Sequence, residues 1–357
     1  MSAVSGPRQR IPVAVLGATG AVGQTFVRLL AGHPWFELAE VAASERSAGR
    51  RYGGAVHWIE GSMPAPAAGL EILPCDPAAV RSRVVFCALD AAAAAEIEPL
   101  FAQSGALVFS NAKSYRMDAD VPLVIPEVNA AHLGILAVQR ERRGWPGGIV
   151  TNANCAAIVA TVALAPLHAA FGLDRVFVTT MQAVSGAGYP GVAALDILGN
   201  VIPWIADEEP KIEGELPKML GRFEAGSLVA AGFRVSAHAN RVPVEHGHTV
   251  CLTVGFERRV TSAECIAALD SWTVPEEIRA LPSSPARALV VTHSADRPQP
   301  RRDVNEGGGM TVLVGRVRPD PLLDVRMVAL GHNTIRGAAG ASLLNAELLA
   351  ARGQLPS

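Results

Sequence analysis

The feature that most constrains this 357-residue chain is a glycine-rich turn between an apolar run and a helical pattern. The run Ile11–Leu16 predicts a buried strand, GATGAVG follows it directly, and Gln24–Ala31 has helical spacing. In such a strand–turn–helix unit the backbone N–H groups at the helix start hold the pyrophosphate of a dinucleotide. The sequence therefore predicts a Rossmann-like nucleotide site with contacts from Gly17, Thr19, Gly20, Ala21, Val22 and Gly23.

The turn after the second predicted strand, Phe36–Ala42, bears on which dinucleotide is bound. A site specific for NAD places an acidic residue there for the ribose hydroxyls. This chain instead has SERSAGR, in which Ser44, Arg46 and Ser47 offer donors that suit a 2′-phosphate. These residues favour NADP(H) over NAD, although Glu45 weakens the preference. A turn that is merely solvated is the alternative.

The strand patterns divide the chain into two parts. Two more buried runs, Arg83–Ala88 and Ala106–Ser110, alternate with helical patterns, which predicts a parallel sheet. The fold class is α/β: a Rossmann-like NADP-binding domain at residues 1–154 and 334–357, and an α+β catalytic and dimerisation domain at 155–333. A C-terminal amphipathic helix, Asn333–Ala351, returns to the first domain. The later strands are longer: Arg175–Met181, Phe233–Ala237, His248–Gly255, Ala288–Thr292 and Met310–Val317.

Composition excludes several classes of protein. Half of the residues are hydrophobic, 18% are charged and the net charge is -2, which rules out a mainly disordered chain and argues against partners such as nucleic acid or a membrane surface. The uncharged stretch 144–173 is interpreted as a buried helix. The five cysteines are widely spaced and form no CxxC pair, so we expect no disulfide framework, no metal site and a cytoplasmic protein.

The segment TNANC carries the strongest chemical signal. Asn154 is a good N-cap, so Cys155 falls in the first turn of a helix, where the dipole and free N–H groups stabilise a thiolate. The same N–H groups could form an oxyanion hole. The other cysteines are interpreted as inert core residues: Cys75, Cys87, Cys251 and Cys265.

A thiolate enzyme also needs an acid or base. The segment RVPVEHGH contains Arg241 and two histidines, His246 and His248. A surface histidine pair and an adventitious metal site are the alternatives. The residues alone leave open which histidine, if either, lies beside Cys155.

Taken together, these motifs resemble the aspartate-semialdehyde dehydrogenase family, particularly its archaeal and fungal branch. The resemblance covers nearly the whole chain, through LGATGAVG, RSAG, SNAKSYRMDADVPLVIPEVN, TNANC, TTMQAVSGAGYPG, ANRVPVEHGH and GHNTIRGAAGA. It implies NADPH-dependent reduction of L-aspartyl-4-phosphate to L-aspartate-4-semialdehyde through a cysteine thioester, in amino-acid biosynthesis. It also implies a homodimer or homotetramer.

The resemblance implies a role for each matching residue. Cys155 would be the nucleophile, Gln182 would orient the substrate and His248 would act as acid and base. Arg241 would bind the substrate carboxylate and Glu215 the amino group. The phosphate and acyl contacts would be Lys218, Arg116 and Asn154, and further cofactor contacts would be Ser185, Gly186 and Asn333.

Alternatives from the same and from another class stay open at this point. The family's usual Asn-Pro-Asn-Cys-Ser/Thr segment is altered here to Ala153 and Ala156, which leaves room for another substrate. A malonyl-CoA (acyl-CoA) reductase of the same fold would reuse Cys155 and His248. A non-catalytic nucleotide-binding protein is the remote alternative, because the predicted catalytic residues are all present.

Overall fold

The structure is a computed structural model that describes residues 6–7 and 9–356. Its first sheet has six strands in the order β3-β2-β1-β4-β5-β6, and every pairing is parallel. This is the strand order of a Rossmann fold, which confirms the predicted fold class. The strands are β1 (Ile11–Leu16), β2 (Phe36–Ala43), β3 (Ile72–Pro74), β4 (Val84–Cys87), β5 (Leu107–Ser110) and β6 (Gly148–Thr151).

The side chains of this sheet alternate between two hydrophobic cores. Val13 and Val15 of β1 pack into one core, and Ala14 and Leu16 pack into the other. Both faces are covered, as expected for a parallel sheet. The helices of this half are α1 (Ala21–Leu30), α2 (Tyr52–Ala55), α3 (Ala65–Ala68), α4 (Ala91–Gln103), α5 (Pro126–Asn129) and α6 (Ile135–Arg143), with a 3₁₀ turn at Ala130–Gly134.

The second sheet is mixed, in the order β10-β7-β11-β14-β13-β12. Its end pairs β10–β7 and β12–β13 are parallel and the central pairs are antiparallel, in agreement with the α+β class predicted for this half. Its strands are β7 (Leu173–Gln182), β10 (Arg234–Arg241), β11 (His248–Phe256), β12 (Leu289–Thr292), β13 (Val312–Pro319) and β14 (Val325–Gly331), and a small hairpin is formed by β8 (Arg222–Glu224) and β9 (Ser227–Val229).

One long helix covers this mixed sheet. It is α7 (Cys155–Phe171), whose residues from Ala156 to Leu167 are all buried and which packs on β7, β11, β13 and β14. The stretch 144–173 therefore contains β6 as well as a buried helix. The other elements are α8 (Ala194–Ile197), α9 (Glu208–Met219), α10 (Ser262–Ser271), α11 (Glu276–Arg279), α12 (Pro300–Asp303) and 3₁₀ turns at Val184–Ala187 and Glu306–Gly309. Within the described part of the chain, no helix has the length and apolarity needed to cross a membrane.

The C-terminal segment differs from the predicted amphipathic helix. It begins with a π-turn at Ile335–Ala339 and continues as α13 (Gly340–Ala351), which is buried from Gly340 to Leu349. The prediction of one polar face was wrong because the polar residues have buried partners. For example, Glu347 Oε1 lies 2.8 Å from His33 Nε2. Helix α13 packs against β5 of the first sheet. The limits between the two domains, at 154/155 and 333/334, stay a prediction.

Candidate active site

A cavity of about 450 Å³ lies where the two halves of the molecule meet. Its wall combines residues that follow β1, β5 and β6 with residues from the ends of β7 and β10. The carboxyl edge of the parallel sheet is therefore joined to the second sheet at this point. The predicted site residues in the wall are Val22, Arg116, Asn154, Cys155, Gln182, Ser185, Gly186, Arg241 and Asn333.

Cys155 begins α7, as predicted. The Asn154 side-chain oxygen accepts hydrogen bonds from the N–H groups of Ala156 at 3.0 Å and Ala157 at 3.1 Å, so the predicted N-cap is confirmed. The π-turn packs directly on the cysteine. A Cβ atom added to Gly337 would lie 2.5 Å from the Cys155 Cβ, so the residue at this position has to be glycine.

His248, and not His246, is the histidine beside the cysteine. Its Nε2 lies 3.0 Å from Cys155 Sγ, and its Nδ1 accepts a hydrogen bond from the Ala183 N–H at 3.1 Å. A neutral ring that accepts at Nδ1 carries its proton on Nε2, which here points at the sulfur. His246 instead contacts the Ser185 hydroxyl at 3.0 Å.

The electrostatics of this pair overturn one expectation. Burial and the neighbouring Glu208 carboxylate raise the pKa of Cys155 to about 12, against the opposing effects of Arg116 and Arg241. Burial lowers the pKa of His248 to about 3. The helix start was expected to stabilise a thiolate, but desolvation outweighs it in the free enzyme. The resting pair is therefore a neutral thiol and a neutral imidazole.

Glu208 organises the amides around the cysteine. Its Oε1 accepts hydrogen bonds from Asn154 Nδ2 at 2.6 Å and Gln182 Nε2 at 2.9 Å, and its Oε2 lies 3.2 Å from Lys211 Nζ. Burial alone would raise its pKa, but Lys211 and the two amides outweigh burial and hold the pKa below the usual value. Glu208 is therefore an ionised carboxylate in the cavity wall.

Glu215 and Lys218 were predicted to contact the substrate, but the structure places neither of them in the wall of the cavity. Glu215 is enclosed between Arg116 Nη1 at 3.0 Å and the Asn154 N–H at 2.5 Å. Lys218 Nζ donates to the carbonyls of Arg116, Asp118 and Val121, at 2.6, 2.8 and 3.0 Å. An ammonium group has three protons to donate, so none is left for a ligand.

The residues that sequence reasoning missed are Glu208 and Lys211, which do line the cavity. A signal for them exists, because α9 contains the pattern Glu-x-Pro-Lys twice, at Glu208–Lys211 and at Glu215–Lys218. Seven residues are about two helical turns, so both pairs lie on nearly the same face. Only Glu208 and Lys211 lie at the start of α9, which is the end of this helix that faces Cys155.

The predicted nucleotide turn has the shape of a phosphate cradle. Gly17 has φ +74°, and a Cβ atom there would lie 2.6 Å from the Ala88 carbonyl oxygen. At Gly23 a Cβ atom would lie 2.2 Å from the Gly17 oxygen. Gly20 has no side chain that could cap α1, so the first N–H groups of this helix have no side-chain cap.

The other predicted cofactor residues flank this cradle. The N–H groups of Gly17 and Ala18 donate to Ala42 at the end of β2, and Ser44, Arg46 and Ser47 form the turn that follows. On the cavity side, Asn333 Nδ2 donates to the Ser185 hydroxyl at 2.8 Å. These residues fit an extended dinucleotide running from the β2 turn to Cys155.

Comparisons with known proteins agree with this geometry. The family model described as semialdehyde dehydrogenase, NAD binding domain, matches residues 12–135, and the one described as semialdehyde dehydrogenase, dimerisation domain, matches residues 164–336. The aspartate-semialdehyde dehydrogenase of Archaeoglobus fulgidus is 50% identical over 341 residues, which cover 95% of this chain and 98% of that protein.

Solved structures give the same result. The aspartate-semialdehyde dehydrogenase of Candida albicans, crystallised with NADP, is 40% identical, has a TM-score of 0.89 and covers 96% of this chain and 99% of its own. The aspartate-semialdehyde dehydrogenase II of Vibrio cholerae, complexed with ASA, is 27% identical with a TM-score of 0.74, covering 96% of this chain and 98% of its own. The chain belongs to the aspartate-semialdehyde dehydrogenase family, in its archaeal and fungal branch.

Proposed function

We propose that this chain reduces L-aspartyl-4-phosphate to L-aspartate-4-semialdehyde with NADPH and releases phosphate, in the biosynthesis of lysine, threonine and methionine. One observation carries the proposal: the 3.0 Å contact between Cys155 Sγ and His248 Nε2 lies in a cavity that also contains Arg116, Lys211 and Arg241. A nucleophile surrounded by cations suits an acyl phosphate that carries a carboxylate.

Each charged group of the substrate has a counterpart in the wall. Arg241 binds the α-carboxylate through its guanidinium fork. Glu208 takes the amino group and Lys211, with Arg116, takes the phosphate. These two residues replace Glu215 and Lys218 in the assignment, because Glu208 and Lys211 line the cavity and the latter pair does not.

Substrate binding activates the cysteine in this scheme. In the free enzyme the Glu208 carboxylate raises the pKa of the Cys155 thiol. A substrate ammonium group beside Glu208 offsets that carboxylate, and the substrate carboxylate and phosphate in turn occupy Arg241 and Arg116. Glu208 therefore opposes ionisation of the thiol less when a substrate with an amino group is in place, and the departing phosphate takes the thiol proton.

The chain's own residues then account for the chemistry. The thiolate attacks the acyl carbon, the carbon–oxygen bond to phosphate breaks and a thioester forms on Cys155. A bound NADPH would supply the hydride that reduces this thioester. As the tetrahedral species collapses to the aldehyde, the His248 Nε2–H stabilises the departing thiolate by a hydrogen bond, and the thiolate regains its proton from solvent. Gln182 and Asn154, both held by Glu208, orient the acyl group.

The cofactor is held by the two groups of residues described above. In the cradle, Thr19, Ala21, Val22 and Gly23 bind the pyrophosphate through backbone N–H groups, while Gly17 and Gly20, whose own N–H groups donate within the protein, shape the turn around it. Ser44, Arg46 and Ser47 bind the 2′-phosphate, which is the reason for choosing NADP(H). Ser185, Gly186 and Asn333 contact the nicotinamide end.

We also propose that the protein is a homo-oligomer, a dimer or a tetramer, in the cytoplasm. The second half carries exposed apolar side chains that suit a subunit contact, including Phe177 on β7 and Leu195, Leu198 and Trp204 near α8. The five free cysteines suit a reducing compartment. Light scattering on the purified protein tests the assembly, and a monomer would contradict it.

The activity is tested in the reverse direction. Purified protein, L-aspartate-4-semialdehyde, inorganic phosphate and NADP⁺ should give NADPH, detected by absorbance, and omission of phosphate should abolish it. Cys155→Ser should be inactive, whereas Cys251→Ser, a half-buried cysteine on β11, should retain activity. NADPH consumption with malonyl-CoA in place of this reaction would contradict the proposed substrate.

A further inference from the structure

The distribution of lysine in this chain is uneven. Lysine and arginine together number 31, and only three of them are lysines: Lys113, Lys211 and Lys218. Lys113 and Lys211 line the catalytic cavity, and Lys218, outside its wall, binds the loop backbone that carries Arg116. An ammonium is a compact charge with rotatable donors, unlike the rigid guanidinium fork. The lysines of this chain therefore lie in the wall of the cavity or against the loop that supports it.

The cations around the phosphate end of the cavity each have a carboxylate partner in the free enzyme. Arg116 pairs with Glu215, and both side chains are at least nine-tenths buried. Lys113 pairs with Asp207 at 2.5 Å, and these side chains are 47% and 65% exposed. Breaking a buried pair leaves an uncompensated charge, whereas an exposed pair contributes little to stability. Lys113 is therefore the cation that can exchange its partner most easily.

The backbone of Asp207 supports a specific role for its carboxylate. Asp207 has φ +58°, in the left-handed region that few residues other than glycine, asparagine and aspartate adopt. It directly precedes Glu208, and it makes no capping hydrogen bond to α9. Its carboxylate instead accepts a hydrogen bond from Lys113, which lines the cavity.

Lys113 also sits on the same turn as the predicted phosphate ligand. The Arg116 N–H donates to the Lys113 carbonyl at 3.3 Å, and both side chains line the cavity. We propose that Lys113 is a phosphate-binding residue held in reserve by Asp207: an incoming phosphate replaces the Asp207 carboxylate as the partner of the Lys113 ammonium. This inference rests on the proposed function, in which phosphate is a reactant.

The test is a double-mutant cycle on phosphate affinity. We measure KM for inorganic phosphate in the reverse reaction and, separately, phosphate binding by calorimetry. Lys113→Met should raise KM and Kd for phosphate by about 10-fold, the effect of one charge-assisted hydrogen bond. Asp207→Asn should lower both, because it frees Lys113. In the Lys113→Met background, Asp207→Asn should change neither.

The matched control is Arg222→Met, which removes the cation of another exposed ion pair, Arg222–Glu224, outside the cavity. Unchanged phosphate affinity in Lys113→Met would overturn the inference, as would an Asp207→Asn effect that survives in the double mutant. Calorimetry decides the role of Lys113 even if the wild-type protein lacks phosphate-dependent turnover, and that lack would contradict the proposed function alone.

Discussion

The two Glu-x-Pro-Lys segments of α9 are alike in sequence and different in use. Glu208 and Lys211 face the cavity, with Glu208 binding the amides of Asn154 and Gln182. Glu215 and Lys218 lie outside the cavity wall, where Glu215 pairs with Arg116 and Lys218 donates to the backbone around it. The comparison teaches that residue type and spacing do not assign a role. The role depends on how close each pair lies to the reacting sulfur of Cys155, and the fold determines that distance.

The largest expected effect is structural and belongs to the deeper pair. Glu215→Ala should lower the free energy of unfolding by about 3–5 kcal/mol, because it leaves the buried Arg116 without its carboxylate. Urea denaturation followed by circular dichroism measures this. Glu208→Gln, which keeps an acceptor oxygen, should cost much less. Equal losses for the two variants would contradict the division of roles.

Glu208 and Glu215 each pair with a cation, whereas Glu98 is a buried carboxylate without a hydrogen-bond partner among the described residues. Burial raises the pKa of Glu98, on α4, to about 7, against smaller opposing effects of Ser110, Cys87 and Arg116. The native state therefore keeps the proton while the unfolded chain loses it. Stability should fall by about 3 kcal/mol as the pH rises from 4.5 to 7, and then level off. Glu98→Gln should remove this contribution, and an unchanged pH profile would contradict it.

The next effect is catalytic and belongs to the outer pair. Glu208→Gln should lower kcat/KM for L-aspartate-4-semialdehyde by about 100-fold, because it removes the partner of the substrate amino group. Steady-state kinetics with matched denaturation curves separates this loss from misfolding. A substrate analogue without the amino group should show little difference between wild type and variant. A full-sized loss with that analogue would argue against the assigned role.

The smallest effect distinguishes the two lysines. Lys211→Met should raise KM for phosphate by about 10-fold while the thermal midpoint changes little. Lys218→Met should leave the KM for phosphate nearly unchanged and lower the thermal midpoint, because three backbone carbonyls lose their donor. Differential scanning fluorimetry and phosphate titrations on both variants check this. A raised KM in Lys218→Met with normal stability would restore the assignment made from the sequence.

Local signals in the sequence were reliable predictors. The strand–turn–helix at the nucleotide cradle and the Asn154 cap depend on neighbouring residues, so their patterns are visible without the fold. Strand β6 was missed because its four residues adjoin a long uncharged helix, and α13 was misread because its polar residues find partners such as His33, far away in the chain.

The chemistry of the site was harder to predict because it depends on distant contacts. Nothing in RVPVEHGH distinguishes His246 from His248 until β11 places the latter against Cys155. The direction of the Cys155 pKa depends on burial and on Glu208, which is more than fifty residues away in the sequence. The helix start is a local signal, so it predicts a thiolate without any information about this burial.

The most direct test of the central claim, that Glu208 faces the reacting thiol, is the pH dependence of Cys155 alkylation by iodoacetamide. Reactivity should be low near neutral pH and rise only in the alkaline range, because the thiol pKa lies well above its usual value. Glu208→Gln should shift the profile to lower pH, Glu215→Gln should shift it less, and Cys155→Ser provides the blank. Reactivity that is already at its maximum at neutral pH, or a profile unmoved by Glu208→Gln, would contradict the account.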